Sequence, residues 1–393
     1  RNNLVLLNST ISANKATNFG GGIMLTSETM LNITKTVVQD NSASMGGGIA
    51  LLSSQSAYIF GGIDAIIVGN VAKMRGGGLY IHQMDGVRDI LWAPGKMSIS
   101  GLILKSNVAG VNVAPFTGFG GGIYLLSETL GNHPNHVEVD NTVTFHSLDV
   151  TGNRASQNGG GLYAYGAEYS KIQIVGCTVT KNVASKKGGG LYLENVEVLV
   201  SSGSRLLVDE PVETKIMENE AEDGGGIYTY NENKKTSVEF KHSYLRQNVA
   251  WRNGGNIHIQ GLNPQTCKDV TILGILAIGG RATKAGGLWV SACSVNIRDT
   301  ILSGNEGAVA GGGAVLSNGA VCSIDNLRIN HNRAPDGAGI AVIDNAYVFV
   351  LKAFTITKNI GVRGGGMHIS NSLSFAVRSG ANNSLMIVQN KAE

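Results

Sequence analysis

The segment NVASKKGGGLYL, residues 182–193, decides the fold. It opens with an asparagine, has alanine two positions later, and leads through a short polar linker to a glycine triplet and to Leu191 and Leu193. Apolar residues at alternate positions indicate a β-strand, and three consecutive glycines are poor helix formers. The segment therefore predicts a short strand that follows a tight corner.

The same unit recurs along the chain, and the commonest spacing is about 27 to 29 residues, which is typical of solenoid repeats. One copy has Gly280 in the asparagine position, because Ala282 and the pair Gly286-Gly287 follow in register. The anchor asparagines are Asn14, Asn41, Asn70, Asn107, Asn153, Asn182, Asn219, Asn248, Asn305, Asn332, Asn359 and Asn390.

Strands this short are unstable alone, so each must pair with its copy in the next coil. We therefore predict an all-β fold, a right-handed parallel β-helix of about 12–13 coils, forming one solenoid domain over residues 1–393. A β-propeller is the competing architecture, but it requires antiparallel blades and hairpin turns that the sequence does not indicate. Insertions between repeats predict loop excursions near residues 82–100, 110–119, 127–141, 201–214 and 231–237.

Each recurring position of the unit has an expected physical role. We expect the anchor asparagines to adopt left-handed backbone angles and to hydrogen-bond from coil to coil as a ladder. The glycines supply positive φ and close backbone approach. The apolar residues after the triplets are expected to form one inward stack, namely Ile23, Ile49, Leu79, Ile123, Leu162, Leu191, Ile227, Ile257, Leu288 and Ile340.

The Gly-Gly-Gly-Ile/Leu element, preceded by an apolar-x-x-Asn element, resembles the paired repeats of chlamydial polymorphic outer-membrane proteins. That resemblance implies a β-helical passenger domain of a surface adhesin. The chain differs from that family's pattern in its third glycine, where alanine is usual, and in often lacking Phe before the asparagine. More broadly, the chain is similar to pectin-lyase-like β-helices.

Composition excludes several classes of function. The net charge is +3 and the charged residues are interspersed, so there is no basic stripe of the kind that binds nucleic acid. No apolar run reaches the length of a membrane span, and no motif indicates a cofactor. The chain begins with Arg1-Asn2-Asn3, which we interpret as the mature or ordered part of a longer precursor.

The glycosylation motifs, together with the adhesin-like repeat, favour an extracellular protein, whereas the cysteines neither prove nor exclude an oxidising compartment. Cys267 and Cys293 lie 13 and 12 residues before Gly280 and Asn305, so adjacent coils would bring them within disulfide distance. Cys177 has no equivalent partner and is expected to be a buried free thiol. Acceptor triplets for N-linked glycans begin at Asn8, Asn32 and Asn382.

Two clusters of side chains contain residue types that bind metal ions. His133 and His136 lie close together in a predicted loop, but they lack a nearby cysteine or carboxylate and are expected to be solvated. Glu218, Glu220, Glu222 and Asp223 could bind calcium, although a solvated acidic turn fits them better. No metal site is predicted.

Many β-helices cleave acidic polysaccharides, so a lyase or hydrolase is the enzymatic alternative. Such chemistry needs clustered carboxylates on neighbouring coils. The sequence has no Asn-Thr-Asp, Asp-Asp or Gly-His-Gly motif, and its isolated acids do not fall at equivalent repeat positions. These acids include Asp64, Asp85, Asp89, Asp149 and Asp299. We therefore expect no enzymatic activity.

Both ends of the chain read as ordinary repeat, although solenoids usually end in polar capping repeats. Leu4-Val5-Leu6-Leu7 already reads as a strand, and Met386-Ile387-Val388 leads directly into Asn390. Two interpretations stay open, a longer covalent solenoid or end-to-end stacking of subunits into a filament. We expect a structural or adhesive protein of the cell surface or extracellular space, with self-association, glycans or a host-surface ligand as candidate partners.

Overall fold

The computed structural model describes residues 2–26, 29–53, 57–84, 96–111, 117–128, 141–166, 170–205, 208–232, 237–372, 374–377 and 384–392. All regular structure in these residues is β, and the prediction of an all-β parallel β-helix is confirmed. The chain divides into two compact units, residues 1–214 and 215–393. The described residues form about eleven turns, close to the number of coils predicted.

Each coil contributes to three parallel sheets, which we call sheets A, B and C in chain order. Sheet A precedes the anchor asparagine, sheet B follows it, and sheet C follows the glycines. In the first unit, sheet C pairs its six strands in register, so that Leu79 lies between Ile49 and Ile123. These strands are Ile23–Thr26, Ile49–Ser53, Leu79–Met84, Ile123–Glu128, Leu162–Gly166 and Leu191–Glu194.

Sheets A and B of the first unit are built in the same way. Sheet B consists of Ser42–Met45, Val71–Arg75, Val108–Ala109, Arg154–Ala155 and Val183–Ala184. Sheet A consists of Asn2–Leu7, Thr10–Ser12, Thr29–Thr34, Thr36–Gln39, Ala57–Gly61, Ala65–Val68, Lys96–Ser100, Ile103–Lys105, Asn141–His146, Asp149–Thr151, Ser170–Val175, Thr178–Thr180 and Glu197–Ser201.

The second unit repeats the arrangement. Sheet C consists of Ile227–Asn231, Ile257–Gly261, Leu288–Ser291, Ala314–Ser317, Ile340–Ile343 and Met367–Ser370. Sheet B consists of Glu220–Asp223, Val249–Asn253, Arg281–Lys284 and Glu306–Ala310, and the short strands Ile360–Gly361 and Lys391–Ala392 pair with each other. Sheet A consists of Thr214–Met217, Val238–Lys241, Ser243–Arg246, Val270–Leu273, Leu276–Ile278, Ser294–Ser303, Val321–Asn330, Tyr347–Val350, Phe354–Thr357, Ser374–Val377 and Leu385–Val388.

The interior of each unit is filled by the side chains that point inward from the three sheets. The predicted stack after the glycine triplets is confirmed, since its members from Ile23 to Ile340 are all buried. Sheet A adds large fully buried residues such as Phe145 in the first unit and Phe240 and Phe354 in the second. Because each residue packs on its own copies above and below, the repeat itself produces a continuous apolar core.

One predicted backbone detail is wrong. The anchor asparagines do not have positive φ; the residue immediately before each of them does, as at Asp40 (53°), Ser106 (54°) and Lys181 (56°). The first glycine of each triplet is also left-handed, as at Gly188 (65°). The left-handed residue turns the chain, which leaves the asparagine free to point its side chain inward.

The centres of the predicted loop excursions, residues 85–95, 112–116, 129–140, 206–207 and 233–236, lie outside the described residues. His133 and His136 are among them. The described part of the 201–214 excursion is an antiparallel pair formed by Gly203–Arg205 and Val208–Val212.

Candidate functional site

The anchor asparagines form a buried hydrogen-bonded ladder in each unit. The Asn70 backbone N–H and its Nδ2 both donate to Asn107 Oδ1 at 3.0 Å, and Nδ2 also donates to the Val38 carbonyl at 2.9 Å. Asn107 repeats this geometry with Asn153 Oδ1 at 2.9 and 3.0 Å. An internal asparagine therefore satisfies both of its side-chain polar atoms without water, which removes the cost of burying them.

The ladder has a direction, because each asparagine donates to the one in the following coil. Asn14 donates from N and Nδ2 to Asn41 Oδ1 at 2.9 Å, and no donor to Asn14 Oδ1 occurs among the described residues. At the other end, Asn359 donates to Asn390 Oδ1 at 3.0 and 2.8 Å. The first asparagine thus presents an acceptor, and the last one presents the donor groups that every other member uses for the next coil.

The third glycine of each triplet lies against this ladder. A Cβ atom at Gly22 would come within 3.0 Å of Asn41 Nδ2, and one at Gly78 within 3.0 Å of Asn107 Nδ2. The prediction that glycine permits close approach is therefore confirmed, and the contact explains the preference for a third glycine. A larger residue would push into the buried amides.

In one coil of the second unit, Asn256 replaces the missing anchor at Gly280. Asn248 Nδ2 donates to Asn256 Oδ1 at 2.9 Å, and Asn256 Nδ2 donates to Asn305 Oδ1 at 3.0 Å. The Gly280 backbone N–H also donates to Asn305 Oδ1, at 2.9 Å. Asn256 occupies the third position of a glycine triplet, so its amide enters the ladder from the neighbouring corner.

The first and last coils expose side chains that elsewhere form the core. Leu4 is in register with Leu31, which is fully buried, yet Leu4 is 37% exposed. Ile387 is in register with the fully buried Ile356, yet it is 45% exposed. These residues point into the coil interior, where the next coil covers the equivalent residues of inner coils.

The cysteines behave differently from one another. Cys267 and Cys293 form a disulfide with a Cα–Cα distance of 4.7 Å. Cys177 is a buried free thiol, as predicted, and Cys322 is another. Burial raises the pKa of Cys177 to about 11 and that of Cys322 to about 12, so both stay protonated at neutral pH.

Three carboxylates of the acidic corner in the second unit contact side chains of the next coil. Arg252 pairs with Glu222 at 2.8 Å and with Asp223 at 3.1 Å. The Trp251 indole donates to Glu220 Oε1 at 2.9 Å. These contacts use the carboxylate oxygens that a calcium ion would need. No group of three or more metal-binding side chains is found in the described part of the chain.

A groove of about 350 Å³ lies on the outer face of sheet A in the first unit. Its lining is mixed polar and apolar, and among the described residues it includes one amine and no carboxylate, namely Tyr58, Lys96, Met97, Ser98, Thr142, Thr144 and Gln173. The lining can hydrogen-bond an extended polar ligand. The described lining residues do not include the pair of carboxylates used in glycoside hydrolysis.

A second outward-facing row is buried and cannot serve as a binding platform. Tyr80, Tyr124, Tyr163 and Tyr192 stack with centroid spacings of 5.4, 5.1 and 4.8 Å. Tyr163 and Tyr192 both donate to Glu194 Oε2, at 3.1 and 2.9 Å. Burial, and then the Glu194 charge, raise the pKa of Tyr163. The row strengthens the coil-to-coil contacts.

The glycan acceptor sites differ in their surroundings. Asn8 is exposed at a corner with φ 47°, and Asn32 is half-buried on the outer face of sheet A. Asn382 lies outside the described residues. The described residues contain no helix of the length and apolarity that crossing a membrane requires.

Comparison with known proteins finds a distant structural similarity and no match in sequence. No family model matches the chain. No curated protein matches it either. Among solved structures, the chain is similar to the A-module of the mannuronan C-5 epimerase AlgE6 from Azotobacter vinelandii, with a TM-score of 0.40 and 14% identity over 93% of this chain and 91% of that one.

Proposed function

We propose that this protein is a structural, non-catalytic β-helix that assembles head to tail with further copies of itself at the cell surface or outside the cell. The observation that carries the proposal is the in-register pairing of each coil with the next, by which another coil stacked in the same register would bury Leu4 and Ile387 as Leu31 and Ile356 are buried. Apolar surface of this kind is normally covered.

The polarity of the asparagine ladder supports the same arrangement. Asn14 presents an acceptor and Asn390 presents donors, so the last coil of one copy complements the first coil of the next. The contact joins two different surfaces, and such a heterologous contact produces a filament when the rotation between successive copies does not close into a ring. Further residues of the same polypeptide could cover the ends in the same way.

The proposed extracellular location has two supports. The disulfide Cys267–Cys293 is of a type that persists in oxidising compartments. The acceptor triplet at Asn8 is exposed, so the folded protein could carry a glycan there.

The test is electron microscopy and sedimentation velocity of the purified full chain with two variants. Ile387→Lys places a charge on the open terminal coil, and Phe349→Lys, at a similarly exposed site on a lateral face, is the control. We expect axial chains of particles for the wild type and for Phe349→Lys, and isolated particles for Ile387→Lys. Isolated wild-type particles at all concentrations would exclude self-assembly.

An adhesive role is the second candidate, and the groove beside Tyr58 is the observation that favours it. Its hydroxyl, amide and amine groups suit a glycan or an extended peptide. Binding to immobilised glycans that is lost in Gln173→Ala would support adhesion. Release of unsaturated or reducing ends from pectin or alginate would instead show that the protein is an enzyme.

A further inference from the structure

The acceptor triplet Asn32-Ile33-Thr34 is placed so that both side chains required for N-glycosylation face outward. The strand Thr29–Thr34 alternates between buried and half-buried residues, and Ile33 is the inward member with 1% exposure. Asn32 and Thr34 therefore lie on the outer face of sheet A. Residues two apart on a strand share a face, so the triplet keeps its geometry in the folded protein.

An aromatic pair lies next to Asn32 in the following coil. Asn32 is in register with Phe60, and neighbouring strands of a parallel sheet lie about 4.8 Å apart. Phe60 is 38% exposed, and its ring stacks with that of Tyr58 at 6.0 Å and an interplanar angle of 2°. The next residue in this row is the short Ser100, which leaves much of the Phe60 ring uncovered.

We propose that Asn32 carries an N-linked glycan whose first sugar packs against Phe60 and Tyr58. Pyranose C–H groups are weakly positive and are attracted to the negative face of an aromatic ring. The sugar would cover apolar surface that otherwise faces water and would close the Tyr58 end of the groove to external ligands. The inference rests on the extracellular location proposed above.

The transfer balances with a lipid-linked donor. Asn32 Nδ2 attacks the anomeric carbon of an oligosaccharide carried on a polyprenyl diphosphate. The C–N bond forms as the bond from that carbon to the diphosphate oxygen breaks, and the amide proton passes to a base of the transferase. The polyprenyl diphosphate is the leaving group.

Asn8 provides an internal control. It occupies a corner with φ 47°, equivalent to that of Lys35, also at φ 47°, and its residue is exposed. Among the described residues, no pair of stacked aromatic rings lies beside Asn8. A glycan on Asn8 would extend into solvent and should contribute little to stability.

The experiment uses the full chain secreted from cultured animal cells. Glycopeptide mass spectrometry determines which asparagines are modified, and thermal unfolding compares wild type, Asn32→Gln, Phe60→Ala and the double variant. We expect Asn32 to be modified and Asn32→Gln to lower the melting temperature by about 2–4 °C. In the Phe60→Ala background the same substitution should have almost no effect, and Asn8→Gln should have none in either.

Two results would overturn the proposal. One is an unmodified Asn32 in protein whose Asn8 is modified, and the other is an equal effect of Asn32→Gln with and without Phe60. Neither result bears on head-to-tail assembly, which is measured separately by microscopy on the Ile387→Lys variant. Failure of that variant to change assembly would leave the glycan inference standing.

Discussion

The regular ladder of the first unit and the coil around Gly280 in the second unit solve the same problem with different residues. From Asn14 to Asn182 every amide comes from the same place in the repeat. Around Gly280 the amide comes from Asn256, a residue of another corner. The fold therefore requires one side-chain amide at the ladder in each coil, and different sequence positions can supply that amide.

The largest expected effect comes from breaking the regular ladder at its centre. Asn153→Ala removes the acceptor of two donors on Asn107 and the donors to Leu104 O and Asn182 Oδ1, all buried. Unsatisfied buried groups are costly, so we expect a loss of about 4 kcal/mol in the free energy of unfolding. Urea denaturation measures it, and exposed Asn296→Ala should change stability by less than about 0.5 kcal/mol.

The comparison also shows how far the sequence alone reaches. The anchor asparagines, the inward stack and the pairing of Cys267 with Cys293 follow from repeat spacing, because equivalent positions in adjacent coils must meet. The sequence contains both irregularities, Gly280 at an anchor position and Asn256 at the third position of a glycine triplet. Because these two residues are 24 positions apart and belong to different positions of the repeat, the repeat spacing does not predict that they lie together.

Two other features could not be predicted for physical reasons. The left-handed residue before each asparagine has no common chemistry, as Asp40, Ser106 and Lys181 illustrate, because its backbone rather than its side chain turns the corner. The ion pairs of the acidic corner depend on Arg252, and no recurring sequence pattern marks the position of this arginine in its coil.

The buried tyrosine row, in contrast, could have been predicted from the sequence, because Tyr recurs directly after Gly-Gly-Gly-Leu/Ile.

The irregular coil is also the one joined by the disulfide, and the second prediction concerns that covalent link. Replacing Cys267 and Cys293 together by alanine opens a loop of 26 residues. We expect the free energy of unfolding to fall by about 3 kcal/mol, since the unfolded chain regains the entropy of that loop. A reductant should lower the urea midpoint of the wild type, once it unfolds, and leave the double variant unchanged.

The regular coil that contains Cys177 buries a free thiol instead, and this predicts alkaline sensitivity. The folded pKa of Cys177 is raised from 9.0 to about 11 by burial. A raised pKa stabilises the fold below the unfolded value, and that contribution is lost as pH rises from about 9 towards 11. The difference corresponds to at most about 3 kcal/mol.

Measuring the free energy of unfolding from pH 8 to 11 tests whether stability falls as the pH rises. Cys177→Ala should show a shallower decline than the wild type across that window, whatever its stability at pH 8. Parallel slopes for the two proteins would contradict the assignment to Cys177.

A double-mutant cycle tests whether Asn256 and Gly280 are a matched pair. Asn256→Gly removes one of the two acceptors of Asn248 Nδ2 and one of the two donors to Asn305 Oδ1, all buried, and should cost about 2 kcal/mol. Gly280→Asn alone should also destabilise, because its Cβ would lie 2.5 Å from Asn256 Nδ2. The double variant should be more stable than the sum of the single effects predicts, giving a favourable coupling energy.

Full recovery in the double variant is not expected, because the Gly280 Cβ would also lie 2.2 Å from the Gly286 carbonyl and this strand would have to move. Additive effects of the two substitutions would show that the ladder at this coil depends on which sequence position supplies the amide as well as on where the amide lies.

The smallest expected change in stability is at the open end of the ladder. Asn14→Ala removes only the Nδ2 donor to Asn41 Oδ1, because alanine keeps the backbone N–H that also donates to this oxygen. Asn14 is exposed, so water can replace the lost donor. We expect the free energy of unfolding of dilute protein to fall by less than about 1 kcal/mol, well below the effect of Asn153→Ala.

If copies stack head to tail, Asn14 Oδ1 becomes an internal acceptor, and the same substitution should weaken assembly at concentrations where the wild type associates. Sedimentation velocity and urea denaturation on the same preparation separate the two effects. A loss of stability as large as that of Asn153→Ala would contradict the argument that burial gives the ladder its strength.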